Sequence, residues 1–196
     1  MGATGRVTHR CSGCGDDPLY VAYHDQEWGQ PERDAEALFE RLILEGMQAG
    51  LSWYTVLKKR ARMREQFFEF DPIRLARFGR RRMNRWLADP GLIRHRGKLE
   101  AMVGNAAAFN TLGPEFSRFI WSFVDGEPLQ NRWRRLDQVP SLTPQSSEMA
   151  NALRALGFRF VGPTICYAFM QSVGMVNDHL IDCDLHEQCA KAARAR

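Results

Sequence analysis

The chain has 196 residues, 44% hydrophobic, 26% charged and 11% aromatic. Against about 150 residues per domain, one domain is the default, and the composition excludes disorder, collagen-like repeats and low-complexity sequence. Lys and Arg number 27 and Asp and Glu 23, a net charge of +4 that is mild in total but unevenly distributed. The longest apolar run, Ile165 to Met170, falls far short of the ~20 residues needed to span a bilayer. The opening Met1-Gly2-Ala3-Thr4-Gly5-Arg6 lacks the apolar stretch of an export signal, and Arg6 stands where a myristoylation motif wants Ser or Thr. A cytoplasmic protein without membrane contact is expected.

In chain order the pattern reads as helices joined by short loops. Asp34 can cap a helix whose apolar positions Leu38, Phe39, Leu42, Ile43 and Met47 follow helical spacing. A helix is predicted over residues 52–68. A short one follows from Pro72, behind the cap Asp71, to Phe78. Further helices are predicted over 80–88, 94–109, 115–123 and 147–156, the last closed by Gly157. Gly162-Pro163 then opens another that runs from Thr164 to Val173. No alternating strand and no internal repeat stand out, so the fold class is all-α. Residues 1–8 and 190–196 are expected to be loose tails around a domain spanning 9–189.

Basic residues cluster at Lys58-Lys59-Arg60-Ala61-Arg62, Arg80-Arg81-Arg82 through Arg85, Arg94-His95-Arg96-Gly97-Lys98 and Arg132-Trp133-Arg134-Arg135. Two or three of these on one face would form a footprint for phosphates, although solvated helix faces are often basic. Residues 153–164, Leu-Arg-Ala-Leu-Gly-Phe-Arg-Phe-Val-Gly-Pro-Thr, read as a helix, a glycine-bounded hairpin and a second helix. The start of that second helix offers free backbone N–H groups and a positive dipole end, a seat for one phosphate. Such a hairpin can grip a nucleic-acid backbone without reading its sequence.

Aromatic residues Tyr20, Tyr23, Trp28, Trp53 and Tyr54 flank Glu45 and Gln48 in sequence. Aromatic side chains usually fill cores, but Glu45 lies inside Leu42-Ile43-Leu44-Glu45-Gly46-Met47. A carboxylate there is costly to bury unless paired, which marks it as a functional candidate. The five cysteines are an odd count without an export signal, which argues against a disulfide framework. Cys166 sits in an apolar run as a core thiol. Seven residues near the chain ends offer metal ligands: Cys11, Cys14, His24, His179, Cys183, His186 and Cys189. A closed structural zinc site takes four such ligands. The His179/Cys183 spacing, the Cys11-Ser12-Gly13-Cys14 knuckle and the pair His186 and Cys189 compete, so spacing supports a zinc site without choosing its members.

The chain resembles the DNA-3-methyladenine glycosylase I family of the helix-hairpin-helix glycosylases. The resemblance rests on residues 17–29 (Asp-Pro-Leu-Tyr-Val-Ala-Tyr-His-Asp-Gln-Glu-Trp-Gly) and 44–53 (Leu-Glu-Gly-Met-Gln-Ala-Gly-Leu-Ser-Trp). It continues through 93–98, 119–124, 157–167 and Val176-Asn177-Asp178-His179, covering nearly the whole chain from about Arg10 to Cys183. It implies an all-α helix-hairpin-helix DNA glycosylase fold in which one structural zinc joins the terminal segments, about 9–30 and 174–189. The zinc ligands it implies are Cys11, His24, His179 and Cys183, leaving Cys14, His186 and Cys189 aside. The tail here departs from the family in carrying His186 and Cys189. Gly13 stands where the family often has an aromatic residue.

The same resemblance implies a base pocket with Glu45 as the catalytic residue and Tyr20, Tyr23, Trp28, Trp53 and Gln48 around the base. An N3-alkylated adenine is cationic in DNA, so an electron-rich cage attracts it and the base leaves neutral without strong acid catalysis. Nucleotide flipping and stabilisation of an oxocarbenium-like sugar then carry the reaction. DNA contacts fall on Gly162 and Thr164, with Leu51 a wedge into the vacated space. Asp178 lies roughly where related enzymes place a sugar-supporting aspartate. The absence of an obvious nucleophilic lysine favours hydrolysis without strand cleavage, Lys98 being the residue that keeps a lyase step open. The function implied is a monofunctional glycosylase of base excision repair, a monomer acting on double-stranded DNA containing alkylated bases and releasing free 3-methyladenine. The alternatives are a non-catalytic zinc-containing nucleic-acid-binding module and a glycosylase of the same fold for another alkylated purine.

Overall fold

The computed structural model describes residues 7–194. Helix α1 (Pro18–Gln26) starts at Asp17, whose side chain accepts from Leu19 N and Tyr20 N, with Pro18 in the first turn where a missing N–H costs nothing. Helix α2 (Ala35–Gln48) is capped by Asp34, and it buries every residue from Leu38 to Met47. Helix α3 (Trp53–Gln66) begins at Ser52, and after a single 3₁₀ turn, Phe68–Phe70, helix α4 (Pro72–Ala88) begins at Asp71. Helices α5 (Arg96–Leu112), α6 (Glu115–Trp121), α7 (Pro144–Ala155), α8 (Pro163–Ser172) and α9 (Asp184–Arg194) complete the set.

Three sequence expectations change. The expected short helix ending at Phe78 and the next over 80–88 are one helix, α4, running through Gly79. A mid-helix glycine costs about 1 kcal/mol relative to alanine, but a Cβ at Gly79 would stand 2.5 Å from Val103 Cγ2, so glycine is what lets α4 lie against α5. Helices α1 and α9 were not expected. A two-residue parallel pair, β1 (Leu129–Gln130) with β2 (Val176–Asn177), ties the connection before α7 to the segment after α8. Of the expected tails, Thr8 N donates to Asp184 Oδ2 (2.7 Å) and α9 continues to Arg194, while residues 1–6 and 195–196 lie outside the described residues.

One large apolar core gathers α2, α5, α6, α7 and α8 around Phe39, Met102, Phe116, Met149, Phe169 and Met170. A second, small cluster holds Cys11, Leu180, Cys183 and Leu185, with Val7, Trp28 and Trp133 against it. That second cluster joins the two chain ends. Asp184 N donates to His9 O (3.1 Å), and Arg10 pairs with Asp25 at 2.6 Å. No helix among the described residues is long and apolar enough to cross a membrane.

Candidate active site and metal centre

Four of the seven candidate ligands converge. Cys11, His24, His179 and Cys183 are all buried, and their donor atoms lie within 4.8 Å of one another. Cys11 Sγ and Cys183 Sγ each stand 3.6 Å from His179 Nδ1, and Cys183 Sγ stands 3.9 Å from His24 Nε2. Tetrahedral bonds of about 2.3 Å to sulfur and 2.0 Å to nitrogen place such atoms about 3.5–3.8 Å apart. The remaining ring nitrogens are already engaged: His24 Nδ1 with Asp25 Oδ1 (2.9 Å), and His179 Nε2 with Trp28 O (3.1 Å). Each imidazole therefore turns one nitrogen to the centre and is held by the other, as metal-ligating histidines are. The three competitors go elsewhere. His186 Nε2 contacts Asn131 O (2.8 Å), Cys189 accepts from Gln30 Nε2 (3.3 Å), and Cys14 is buried beside the cluster without joining it. A hydrogen bond from Cys11, supported by His179 and His24, pulls the Cys183 thiol far below its ordinary range. The donor set fits a four-coordinate ion with no position left for a water.

Beside this cluster opens a cavity of about 250 Å³. It lies just under the roughly 300–1,000 Å³ of drug-sized sites and suits one planar heterocycle. Its walls are Tyr20, Tyr23, Trp28 and Trp53, with Glu45 and Gln48 from the last turns of α2. Tyr23 packs on Trp53 with ring centroids 5.0 Å apart and meets Tyr20 edge-on at 6.4 Å. Trp28 is shared between cavity and cluster, stacking on His24 at 6.0 Å and standing edge-on to His179 at 4.6 Å. Trp53 Nε1 is a buried donor with no partner among the described residues. Tyr54, by contrast, turns away and donates its hydroxyl to Asp17 Oδ2 (2.6 Å).

Glu45 is 4% exposed, and burial pushes its carboxyl up to about 8, against the pull of Arg41 one helical turn earlier. At neutral pH the resting side chain is therefore mostly the neutral acid, both donor and acceptor. Sequence reasoning missed Leu136, Ala168 and Gln171, which also line the cavity. Leu136 is legible in retrospect from Gly13: a Cβ there would stand 3.2 Å from Leu136 Cδ1, so the leucine occupies the space beside this glycine.

A second opening of about 200 Å³ adjoins the first and shares Glu45, Gln48 and Ala168 with it. Gly50, Leu51, Thr164 and Ile165 line its outer side, and Leu51 is 41% exposed. Gly162 caps α8 without a side chain, and Thr164 is exposed in the first turn. His95 lies edge-on to Phe160 of the hairpin at 6.1 Å, which brings the segment of exposed Arg94 and Arg96 to that of exposed Arg159. In the cluster at 58–62 two arginines are already paired: Arg60 with Glu27 (2.6 Å) and Glu40 (2.9 Å), and Arg62 with Asp89 (2.7 Å). Lys98 is buried, its Nζ held by Met47 O (2.8 Å) and Ala49 O (2.5 Å), outside the cavity lining. Asp178 is also buried and accepts from four neutral donors.

Together these features define a helical protein with a nucleobase-sized aromatic pocket, a buried acid and a cluster able to hold a metal. The family model described as methyladenine glycosylase matches residues 13–187, and the chain belongs to that family. The DNA-3-methyladenine glycosylase 1 of Escherichia coli (strain K12) is 49% identical over 177 residues, 89% of this chain and 95% of that protein. The DNA-3-methyladenine glycosylase of Haemophilus influenzae is 50% identical over 180 residues, 90% of this chain and 97% of that one. A crystal structure of 3-methyladenine DNA glycosylase I superposes with a TM-score of 0.89 at 51% identity, covering 91% of this chain and 100% of that one. The Staphylococcus aureus enzyme, solved for its recognition of 3-methyladenine, gives 0.85 at 35% identity, covering 89% and 95%.

Proposed function

We propose that this chain excises 3-methyladenine from DNA by hydrolysing the N-glycosidic bond of a flipped-out nucleotide. The observation that carries the reading is a buried Glu45, its carboxyl pushed up by burial, lining a cavity walled by four aromatic rings. Methylation at N3 makes the adenine a cation. Electron-rich ring faces attract it at about 0.5–2 kcal/mol per contact, and its approach favours the ionised form of Glu45. The acid then passes its proton to solvent and holds the base edge as an anion. As the glycosidic bond breaks, the electron pair stays with the base, which leaves neutral, and positive charge moves to the sugar. Unmodified adenine is neutral and gains neither attraction. Water completes the hydrolysis at the sugar.

The smaller opening beside the pocket supports the rest. Leu51 fills the space left in the duplex, while the free N–H groups at the start of α8 and the exposed arginines around the hairpin hold phosphates. Lys98, tied to two carbonyls, is no nucleophile, which supports hydrolysis without strand cleavage. The Cys11, His24, His179 and Cys183 set takes one zinc ion as a structural joint, and no step of the reaction passes through it. One domain over 9–189, acting as a cytoplasmic monomer, completes the reading.

The test is incubation with methylated duplex DNA and chromatography of every base released. Free 3-methyladenine is expected from the wild type, and Glu45→Gln should slow its release about 10- to 100-fold, the worth of a hydrogen bond to a charged group. DNA binding without base release would overturn the proposal in favour of a binding module, and release dominated by another methylated purine would reassign the substrate.

A further inference from the structure

The cage and Glu45 recognise charge, and charge alone does not name the base. Alkylation also makes guanine cationic, and a cation over an aromatic face is attracted whichever purine carries it. A carboxyl is donor and acceptor when neutral and acceptor only when ionised, so the hydrogen-bonding sense of Glu45 changes with its occupant. The two purines differ at ring position 6, where adenine carries an amine donor and guanine a carbonyl acceptor. Separating them takes a group whose hydrogen-bonding sense cannot turn over.

Gln171 is such a group. It lies on α8 one turn from Ala168, and both line the base cavity. Its amide nitrogen donates to Asp178 Oδ2 at 2.8 Å. Asp178 is 2% exposed, and its other donors are Tyr167 OH, Asn131 Nδ2 and Trp133 Nε1, each at 2.7 Å. A carboxylate offers only acceptors, so the glutamine nitrogen must face Asp178. Flipping the amide would set oxygen against oxygen in a buried place. Among the described residues nothing donates to Gln171 Oε1, and Gln171 is one of the residues that line the cavity.

We propose that Gln171 is a specificity-determining residue that accepts a hydrogen bond from the exocyclic amine of the flipped base, with Asp178 the positioning residue that fixes its sense. The inference rests on the reading of the cavity as a base pocket. It assigns discrimination against purines with a carbonyl at position 6 to Gln171, and it gives Asp178 a role through Gln171 in place of one at the sugar.

The test compares free 3-methyladenine with 3-methylhypoxanthine, which carries a carbonyl in place of the amine, in titrations read by the fluorescence of Trp28 and Trp53. The wild type should prefer the amine by about tenfold or more, since a buried acceptor facing a carbonyl leaves both groups unpaired. Gln171→Leu and Gln171→Met, checked for native melting, should narrow the preference below about threefold by weakening 3-methyladenine. Asp178→Asn lets the amide turn over and should move the preference towards the carbonyl, whereas a purely structural role would weaken both ligands alike. A wild type without preference, or a preference intact in both Gln171 variants, overturns the inference. If the wild type also binds neither base and releases none from methylated DNA, the pocket reading itself falls. If it releases 3-methyladenine normally, only the role of Gln171 is lost.

Discussion

Replacing Glu45 by glutamine should change how stability depends on pH, independently of any effect on activity. The carboxyl titrates near 4.5 when unfolded and at about 8 in its buried position. Between those values the folded state holds a proton that the unfolded state has lost, so stability falls as pH rises, by about 1.4 kcal/mol for each pH unit crossed. From pH 5 to pH 8 the wild type should lose about 4 kcal/mol that glutamine, which does not titrate, retains. At about 2–4 °C per kcal/mol for a chain of this size, the melting temperature of Glu45→Gln relative to wild type should climb by about 8–16 °C across the window. Differential scanning calorimetry of both proteins at half-unit steps from pH 5 to 8.5 measures it. Comparing variant with wild type at each pH cancels the titration of histidines and cysteines common to both. A difference that stays flat with pH would mean that Glu45 is ionised in the resting fold, and the picture of a neutral acid awaiting a cation would fail.

Metal analysis should return about one zinc per chain, as a single four-ligand site requires. Cys183→Ser should lose the metal and melt well below Cys189→Ser, which is expected to keep it; the reverse order would move the ligand to Cys189. Gly29 has φ +76°, and a Cβ there would stand 2.8 Å from His179 Nε2. Gly29→Ala should therefore cost at least about 1–2 kcal/mol from backbone strain alone and weaken metal retention, read by melting with and without a chelator. Arg94 and Arg159 flank the hairpin, and removing both should reduce the slope of log affinity against log salt for undamaged duplex by about 2. An unchanged slope would place the DNA on another face.

Where the sequence was legible, the reason was local. Asp34, Asp71 and Thr164 lie at or near helix starts because caps and first-turn residues act within a few positions. The same signal stands at Asp17-Pro18, yet α1 went unread because its apolar residues face a cavity and a metal cluster, and therefore show no core-facing stripe. Gly79 looked like a break because the requirement it meets is Val103, 24 positions away on α5. The ligand set shows the limit most clearly. Spacing alone offered seven donors; the resemblance singled out Cys11, His24, His179 and Cys183, and the fold brings those four together while His186 and Cys189 contact Asn131 and Gln30. Glu45 stood out as a charge in an apolar run. Gln171 did not, because a glutamine one turn from Ala168 carries no signal until Asp178 is seen to hold its nitrogen.

Helix α1 supplies two of the four rings around the base, yet it is only 9 residues long and has no stripe with which to grip the core. Helices that short are not stable by themselves. It is moored at one end through His24 and at the other through the bond between Asp17 and Tyr54. Separating the cluster that holds His24 would release the first mooring while leaving α2 to α8 packed. Occupancy of the pocket should therefore fade before the fold does, in a molecule that still looks native by circular dichroism.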